Sequence, residues 1–228
     1  MQVSFLIPVY NEAATLRKIL ERVEQLDLDK QIIVVDDGSF DDSPIVLEEW
    51  KKTHDSTVVI RQANKGKGAA IRAAIPHITG DIAVIQDADL EYDPSDVPAL
   101  IEPIVRGEAD VVYGSRLSGG RPQRAYLFWH MVGNRFLSLV ANVLFNTTIS
   151  DIETGYKAFR AGVLRSLDLQ RNSFAIEPEI TAKVCKRKLR LYEVPISYYG
   201  RTFDEGKKIT WRDGFVALAV LFDVRIRG

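Results

Sequence analysis

Acidic residues follow three short apolar runs of this 228-residue chain. Each run is rich in β-branched residues, as are strands buried on both faces of a parallel sheet. The carboxylates that follow the runs are Glu12, Asp36, Asp37, Asp87 and Asp89. In open α/β sheets ligands bind outside the carboxyl ends of the strands, so we expect these side chains to converge on one crevice. A cation or hydroxyl donors must offset their repulsion there, which predicts a hard divalent metal and a ribose.

Asp87 and Asp89 form an acid-x-acid triplet directly after the apolar run at 82–86. This spacing lets one carboxylate reach a nucleotide's sugar or a water, while the other reaches a metal that bridges two phosphates. Such a triplet alone is more often a solvated turn. The two other acidic strand ends are what favour a functional site.

A small basic loop at 64–68 opens a predicted helix. Exposed N–H groups at a helix start, together with Lys67, favour phosphate. The loop lacks the Gly-Lys-Ser/Thr ending of a Walker loop and the third glycine of a dinucleotide fingerprint. A plain helix-starting turn with surface lysines is the alternative interpretation.

Strand and helix patterns alternate through the first half of the chain. Strands are predicted at 3–9, 32–36, 57–61, 81–86 and 109–113, with a helix after 11 and further helices at about 42–53, 67–77 and 94–106. Repeated βα units predict a right-handed, mostly parallel α/β sheet flanked by helices. Because no fixed-period repeat or low-complexity linker occurs, we expect one domain over 1–228.

Two apolar segments follow. The segment 126–145 is apolar almost all round, broken by polar residues every four positions that lie along one stripe of a helix. These polar residues are His130, Asn134, Ser138, Asn142 and Asn146. The segment 211–226 has amphipathic helical spacing. Such helices either belong to the core or lie in a membrane surface, and both alternatives remain open here.

The charge balance argues against a nucleic-acid partner. The chain has 30 basic and 31 acidic side chains, so no overall basic field exists. A single Cys185 and the absence of a Cys/His cluster favour a reducing compartment. No basic n-region precedes the first strand and no run of 18 apolar residues occurs, so we expect a cytoplasmic protein without a signal peptide or its own spanning helix.

Six motifs, in this order along the whole chain, resemble those of inverting family 2 glycosyltransferases of GT-A fold. They are 8–12 (PVYNE), 35–39 (VDDGS), 64–68 (NKGKG), 87–89 (DAD), 114–116 (GSR) and 151–157 (DIETGYK). Within that family the dolichyl- or polyprenyl-phosphate mannosyl- and glucosyltransferases are the most similar. The resemblance implies transfer of a hexose, with inversion, from GDP-mannose or UDP-glucose to polyprenyl or dolichyl phosphate. If the two apolar segments are interfacial helices, we also expect peripheral attachment to the cytoplasmic face of a membrane, alone or through an anchoring partner.

The donor side is expected within about 1–115, and the acceptor- and membrane-facing side within about 116–228. The resemblance implies these donor contacts: Pro8, Tyr10, Glu12, Asp37, Lys67, Gln86 and Asp87. Asp89, with Asp87, would hold Mg²⁺ or Mn²⁺, which neutralises charge on the leaving diphosphate. Glu91, the third expected ligand, stands where the family often has Gln and would add a negative charge.

On the acceptor side the resemblance implies cations that position a phosphate oxygen. This oxygen is already anionic, so it needs no general base. The expected catalytic cations are Arg116, Arg201 and Lys208, the last two in a segment at 200–208 that resembles the family's closing loop. The expected acceptor contacts are Arg116, His130 and Arg135.

Two alternatives to transfer onto a lipid phosphate remain: a soluble or protein acceptor, and a subunit without catalytic activity. In members with soluble acceptors an acid in the region of 174–179 acts as catalytic base, and Glu179 could do so here for a soluble or protein acceptor. Equally, Glu177 and Glu179 could cap a helix that begins near Ile180. The third possibility is a non-catalytic nucleotide-sugar-binding subunit, against which the intact acids and cations argue.

Overall fold

A seven-stranded sheet forms the centre of the protein. The computed structural model describes residues 1–120, 128–201 and 211–227, without the side chains of 130 and 211–213. The strands are β1 Val3–Val9, β2 Lys30–Asp36, β3 Val58–Arg61, β4 Ile82–Ile85, β5 Val111–Ser115, β6 Lys157–Arg160 and β7 Leu191–Pro195. The helices are α1 Ala13–Glu24, α2 Ser43–Thr53, α3 Lys67–Ala74, α4 Val97–Val105, α5 Phe128–Phe145, α6 Ala161–Ser166, α7 Ile176–Lys186 and α8 Trp211–Arg227.

The strand order is β3-β2-β1-β4-β6-β5-β7. β6 runs antiparallel to both of its neighbours, β4 and β5, and every other neighbouring pair is parallel. The prediction of a mostly parallel α/β sheet flanked by helices is therefore confirmed. In addition, β6 lies between two strands of the first half, so the sheet runs across the expected division near residue 115.

The elements after residue 115 were only partly predicted. The sequence patterns did not predict β6, β7 or α6. The helix expected to begin near Ile180 begins at Ile176, so Glu177 and Glu179 lie in its first turn and do not precede it. Carboxylates there offset the partial positive charge of the helix start, which explains why the helix includes them.

The sheet is buried on both faces. Phe5 and Ile7 of β1 pack into one apolar cluster with α1, α2 and α4, whereas Leu6 packs into a second cluster with α3, α6 and α7. This alternation follows the two-residue period of a strand. The helices therefore cover both faces of the sheet and leave the carboxyl ends of its parallel strands along one edge.

Helices α5 and α8 form a third cluster through their inner faces, which include Leu137, Ala141, Val220 and Leu221. Their outer faces are apolar and exposed. The exposed residues are Phe128, Trp129, Val132, Phe136, Leu139 and Val143 on α5 and Phe215, Val216, Phe222 and Ile226 on α8. Among the described residues, no helix combines the length and apolarity that a membrane span requires.

Candidate active site at the strand ends

The acids after β1 and β4 meet at the carboxyl edge of the sheet, because these strands are parallel neighbours. Asn11 adopts a left-handed conformation (φ 54°) that turns the chain from β1 into α1, and Asn tolerates this conformation better than most residues. Leu90 also has a positive φ, 63°, which is unusual for a bulky side chain. This strained turn separates Asp89 from Glu91, and an Asp89 oxygen accepts a hydrogen bond from the Glu91 N–H at 3.0 Å.

Arg201 lies among three of these carboxylates. Its guanidinium donates to both Glu12 oxygens at 3.1 and 3.2 Å and to Asp89 Oδ2 at 3.0 Å. Its backbone N–H donates to Glu91 Oε1 at 2.8 Å. Burial lowers the pKa of Arg201, but the hydrogen bonds to Glu12 and the charge of Asp89 raise it overall. The structure thus brings together three of the predicted acids around one predicted cation.

Negative charge exceeds positive charge around Asp89. Burial, followed by the charges of Asp87 and Glu91, raises the pKa of Asp89 to about 7, although Arg201 acts in the opposite direction. A carboxylate in such surroundings is stabilised by additional positive charge. The donors are all oxygens, which suits a hard divalent ion.

The three expected metal ligands lie at this edge but do not form a complete cage. No group of three His, Cys, Asp or Glu side chains in the described residues is arranged to hold a metal ion. Asp87 pairs with Lys67 at 2.7 Å, and Glu91 accepts a hydrogen bond from the Tyr198 hydroxyl at 2.9 Å. Ions such as Mg²⁺ usually bind one or two carboxylates together with substrate phosphates. The residues present fit that mode.

A chain of alternating charges runs inward from Asp87. Lys67 contacts Asp87 and, at 3.3 Å, Glu177, which also pairs with the fully buried Lys157. Burial lowers the pKa of Lys157. Lys67 is itself mostly buried, and its carboxylate partners raise its pKa despite burial. Lys67, predicted to contact phosphate, therefore bridges two carboxylates beneath the crevice.

Asp37 organises the basic loop. Its carboxylate accepts hydrogen bonds from the Gln62 side chain at 2.6 Å and from the N–H groups of Lys65 and Gly66 at 3.0 and 2.7 Å. Gly66 has φ 97°, and a Cβ there would lie 2.6 Å from the Asn172 carbonyl oxygen. Asp37 is only 3% exposed, so in this structure it shapes the loop from below.

Three other predicted donor contacts differ in accessibility. Pro8 and Tyr10 are partly exposed at the end of β1, where Tyr10 packs edge-on against the exposed Phe40. Gln86 is fully buried and accepts a hydrogen bond from the Tyr156 hydroxyl at 2.9 Å. The expectation of a direct donor contact by Gln86 is therefore not supported, because its side chain supports the strand end from within.

Arg116, after β5, is held by a buried carboxylate. Its Nε and Nη2 donate to the two Asp151 oxygens at 2.8 Å each, and its guanidinium lies 5.0 Å from the centre of the Tyr198 ring. Asn134 of α5 donates to the same carboxylate at 2.6 Å. Burial raises the pKa of Asp151, but Arg116 lowers it overall. This bidentate pair fixes the orientation of the Arg116 guanidinium.

Of the three other residues predicted on the acceptor side, the structure describes the side chain of Arg135 but not those of Lys208 and His130. Arg135 is exposed on α5 and lines an open cavity of about 250 Å³ with Ser138 and Asn142. Lys208 lies outside the described residues, as does the side chain of His130.

Glu179 is placed unfavourably for a catalytic base. It is 2% exposed, and its oxygens accept hydrogen bonds from the N–H groups of Gln170 and Arg171 at 2.8 to 3.1 Å. Lys183 also pairs with it at 2.8 Å. Through these contacts the Glu179 carboxylate ties the preceding loop to α7. The structure therefore favours a structural role for Glu179 over the base hypothesis, and that role is a tie to the preceding loop, since no side chain among the described residues caps the start of α7.

Several site residues had no predicted role in binding or catalysis, although capping of a helix was one alternative for Glu177. Asp151, Asn134, Tyr198, Glu177 and Lys157 position the predicted cations and acids through the contacts above. The motif at 151–157 and the polar stripe on α5 contained the available signal, but neither shows which side chains pair. Pairing across 17 or more residues of sequence is decided by the fold.

Comparisons with known proteins agree with this geometry. The family model described as Glycosyl transferase family 2 matches residues 4–168. The dolichol-phosphate mannosyltransferase of Pyrococcus furiosus is 30% identical over 91% of this chain and 59% of its own length. The undecaprenyl-phosphate 4-deoxy-4-formamido-L-arabinose transferase of Sodalis glossinidius is 30% identical over 90% of this chain and 62% of its own length. The chain thus spans about three fifths of these curated relatives.

Solved structures support the fold. Glucosyl-3-phosphoglycerate synthase from Mycobacterium tuberculosis, in complex with Mn²⁺, UDP and glucosyl-3-phosphoglycerate, has a TM-score of 0.72 at 21% identity, covering 98% of this chain and 79% of its own. Mannosyltransferase PcManGT from Pyrobaculum calidifontis, in complex with GDP-Man and Mn²⁺, has a TM-score of 0.60 at 17% identity, covering 99% of this chain and 70% of its own. With this GT-A fold and a family match over most of its length, the chain belongs to glycosyl transferase family 2.

Proposed function

We propose that this glycosyltransferase moves a hexose, with inversion, from a nucleotide diphosphate sugar to a polyprenyl or dolichyl phosphate at a membrane surface. Two relatives are named for transfer to dolichol phosphate and undecaprenyl phosphate. GDP-mannose and UDP-glucose are the candidate donors. The cytoplasmic face of the membrane, reached directly or through an anchoring partner, is part of the proposal.

The observation that carries the proposal is the presence of two chemically opposite halves at one edge of the sheet. The acidic half contains Glu12, Asp87, Asp89 and Glu91. The cationic half contains Arg116, whose orientation Asp151 fixes. A metal-bound diphosphate suits the first half and a phosphate monoester suits the second.

Asp89, with Asp87 or Glu91, would hold Mg²⁺ or Mn²⁺. When bound, such an ion neutralises charge that develops on the leaving diphosphate. Neighbouring structures are complexes with Mn²⁺ and a nucleotide or nucleotide sugar, which supports divalent metal use without deciding between the two ions. Glu12 and Arg201 complete the charge balance around this position.

Arg116 would position the acceptor. The phosphate oxygen attacks the anomeric carbon, the bond from that carbon to the diphosphate breaks, and the nucleoside diphosphate leaves. Because the attacking oxygen is already an anion, orientation by cations replaces a general base. This agrees with Glu179 being occupied by backbone contacts.

The outer faces of α5 and α8 support a membrane location. They expose large apolar side chains, among them Trp129 at 78% and Ile226 at 78%. Monomeric soluble proteins rarely expose contiguous apolar faces, and amphipathic helices of this kind lie in membrane interfaces. A lipid acceptor would reach the crevice from that side.

The test is transfer of radiolabel from GDP-mannose and, separately, UDP-glucose to a short polyprenyl phosphate, with Mg²⁺ or Mn²⁺, followed by organic extraction. We expect metal-dependent label in the organic phase from one donor. Asp89→Asn should reduce it at least 100-fold, since loss of a charge-stabilising group typically costs about that factor.

The control is Asp81→Asn, which changes an exposed acid just before the opposite end of β4 and should leave transfer unchanged. Donor hydrolysis without lipid labelling would overturn the acceptor assignment while keeping the donor side. Binding of the nucleotide sugar with neither hydrolysis nor transfer would instead indicate a non-catalytic subunit.

A further inference from the structure

The segment 151–157 connects the acceptor half of the site to the donor half. At one end Asp151 holds Arg116. At the other end Gly155 lies against the donor acids, since a Cβ there would be 2.5 Å from Asp87 Oδ2 and 2.8 Å from Lys67 Nζ. Glu153 lies midway between these two ends.

The Glu153 side chain is half-buried, and one of its carboxyl oxygens, Oε1, is fully buried without a hydrogen-bond partner among the described residues. Three other buried side-chain atoms lack hydrogen bonds in the part of the chain that the structure describes: Asp36 Oδ2, Glu177 Oε1 and Arg201 Nε. Each of them lies 3.3 to 3.7 Å from an opposite charge. No such ion pair exists for Glu153 within the described part of the chain. Buried polar atoms are normally hydrogen-bonded, so an orphaned oxygen in a segment that joins the two halves of the site points to a ligand.

The surroundings of Glu153 restrict that ligand. Four charged groups influence the pKa of Glu153: Glu177, Lys157, Arg116 and Asp151. Burial, followed by the charge of Glu177, raises this pKa to about 7. Lys157 and Arg116 are already paired with Glu177 and Asp151. A phosphate dianion has no proton to donate, and an ionised Glu153 would repel it. A neutral hydroxyl both donates and accepts, so it suits the carboxyl group in either protonation state.

The position agrees with this chemistry. In the proposed reaction the diphosphate lies at Asp87 and Asp89 and the acceptor phosphate at Arg116, so the transferred sugar must lie between them. We propose that Glu153 forms a hydrogen bond with one hydroxyl of that sugar and thereby contributes to the choice of sugar. This inference rests on the proposed function for the nature of the donor, but it does not depend on the acceptor.

The test measures affinity by calorimetry with Mn²⁺, using GDP-mannose and UDP-glucose and their analogues lacking one hydroxyl at C2, C3, C4 or C6. Proteins compared are the wild type, Glu153→Ala, Glu153→Gln and Glu49→Ala, the last an exposed control on α2. For the wild type we expect one analogue to bind about tenfold more weakly than its parent. In Glu153→Ala the parent should weaken by about tenfold, and removal of the same hydroxyl should cost nothing further.

Further readouts separate a specific contact from a structural effect. GDP and UDP themselves should bind Glu153→Ala as they bind the wild type, and Glu153→Gln, which keeps an accepting oxygen, should retain part of the discrimination. Equal penalties for every analogue in the wild type and Glu153→Ala would overturn the inference about Glu153 alone. Failure of the wild type to bind either nucleotide sugar would overturn the proposed function, and this inference with it.

Discussion

At the scale of single residues, buried charges in this protein differ in how they are compensated. Asp151 is matched by Arg116 and Asn134, and Glu177 by two lysines, whereas Glu153 has no such partner within the described residues. Burial of an uncompensated carboxylate costs stability in the charged form. A residue retained at such a cost in the unliganded protein is more readily explained by ligand contact than by folding.

Glu153 should therefore make the stability of the unliganded protein depend on pH. Its folded-state pKa of about 7 lies above the ordinary 4.5, so its contribution is fully present below pH 4.5 and is lost as pH rises through 7. The difference of about 2.5 pH units corresponds to at most about 3 kcal/mol. Glu153→Gln should gain stability relative to the wild type by up to that amount between pH 5 and pH 8.

Urea unfolding of both proteins at the two pH values measures this gain. Groups that titrate in both proteins cancel in the comparison. Glu49→Gln, at a position whose side chain is 53% exposed, should show no pH-dependent difference. An equal difference between Glu153→Gln and the wild type at pH 5 and pH 8 would contradict the assignment.

At the scale of elements, the segment after β7 delivers Arg201 to the acids. The Ser197 N–H donates to Asp96 at 2.7 Å, the Tyr198 hydroxyl to Glu91 at 2.9 Å, and Tyr92 pairs with Tyr198 through an isolated β-bridge. These anchors place a fixed positive charge where a metal ion is expected to act. Arg201 and a divalent ion are then alternative sources of positive charge for the same carboxylates.

Arg201→Ala should accordingly strengthen binding of Mn²⁺ in the absence of nucleotide. Removing one unit charge at about 4 Å is worth about 1 kcal/mol even at the dielectric constant of water, so we expect at least about a fivefold change in the dissociation constant. Titration followed by Mn²⁺ electron paramagnetic resonance measures this change. The control is Arg106→Ala, which removes an exposed arginine that pairs with Glu102 of α4. Unchanged or weaker Mn²⁺ binding by Arg201→Ala would refute the proposal that Arg201 and the ion compete for the same carboxylates.

At the scale of the whole molecule, the apolar surface lies mainly on α5 and α8. The inner faces of these helices pack on each other, so their exposed residues are not needed for the third core cluster. Burying one large apolar side chain is worth about 1.5 to 3 kcal/mol. Replacing Trp129, Phe136 and Val143 by Ser should therefore reduce binding to phospholipid vesicles at least 100-fold without unfolding the protein.

Co-sedimentation with vesicles measures this effect, with circular dichroism to verify folding. Ile45→Ser, which changes a 55% exposed apolar residue on α2, should bind vesicles as the wild type does. Equal binding by the triple variant would show that this surface faces something other than a membrane.

The sequence by itself determined the βα alternation, the acids at the strand ends and the family motifs, because strand and helix periodicity and short motifs are local properties. It did not predict β6, which pairs with two strands distant in sequence, or the start of α7. Asp89, Glu91, Arg116 and Arg201 could be identified as chemically active types. Their partners could not, because pairing depends on which elements become neighbours.

Only the tertiary structure decided which charges are compensated. It placed Gln86 and Glu179 in buried supporting contacts, joined Arg116 to Asp151, and left Glu153 without a partner among the described residues. Burial and compensation are properties of the packed chain, since the free energy of a charge depends on its distance from water and from other charges. Residue types therefore indicated the chemistry, and packing determined which residues are available to perform it.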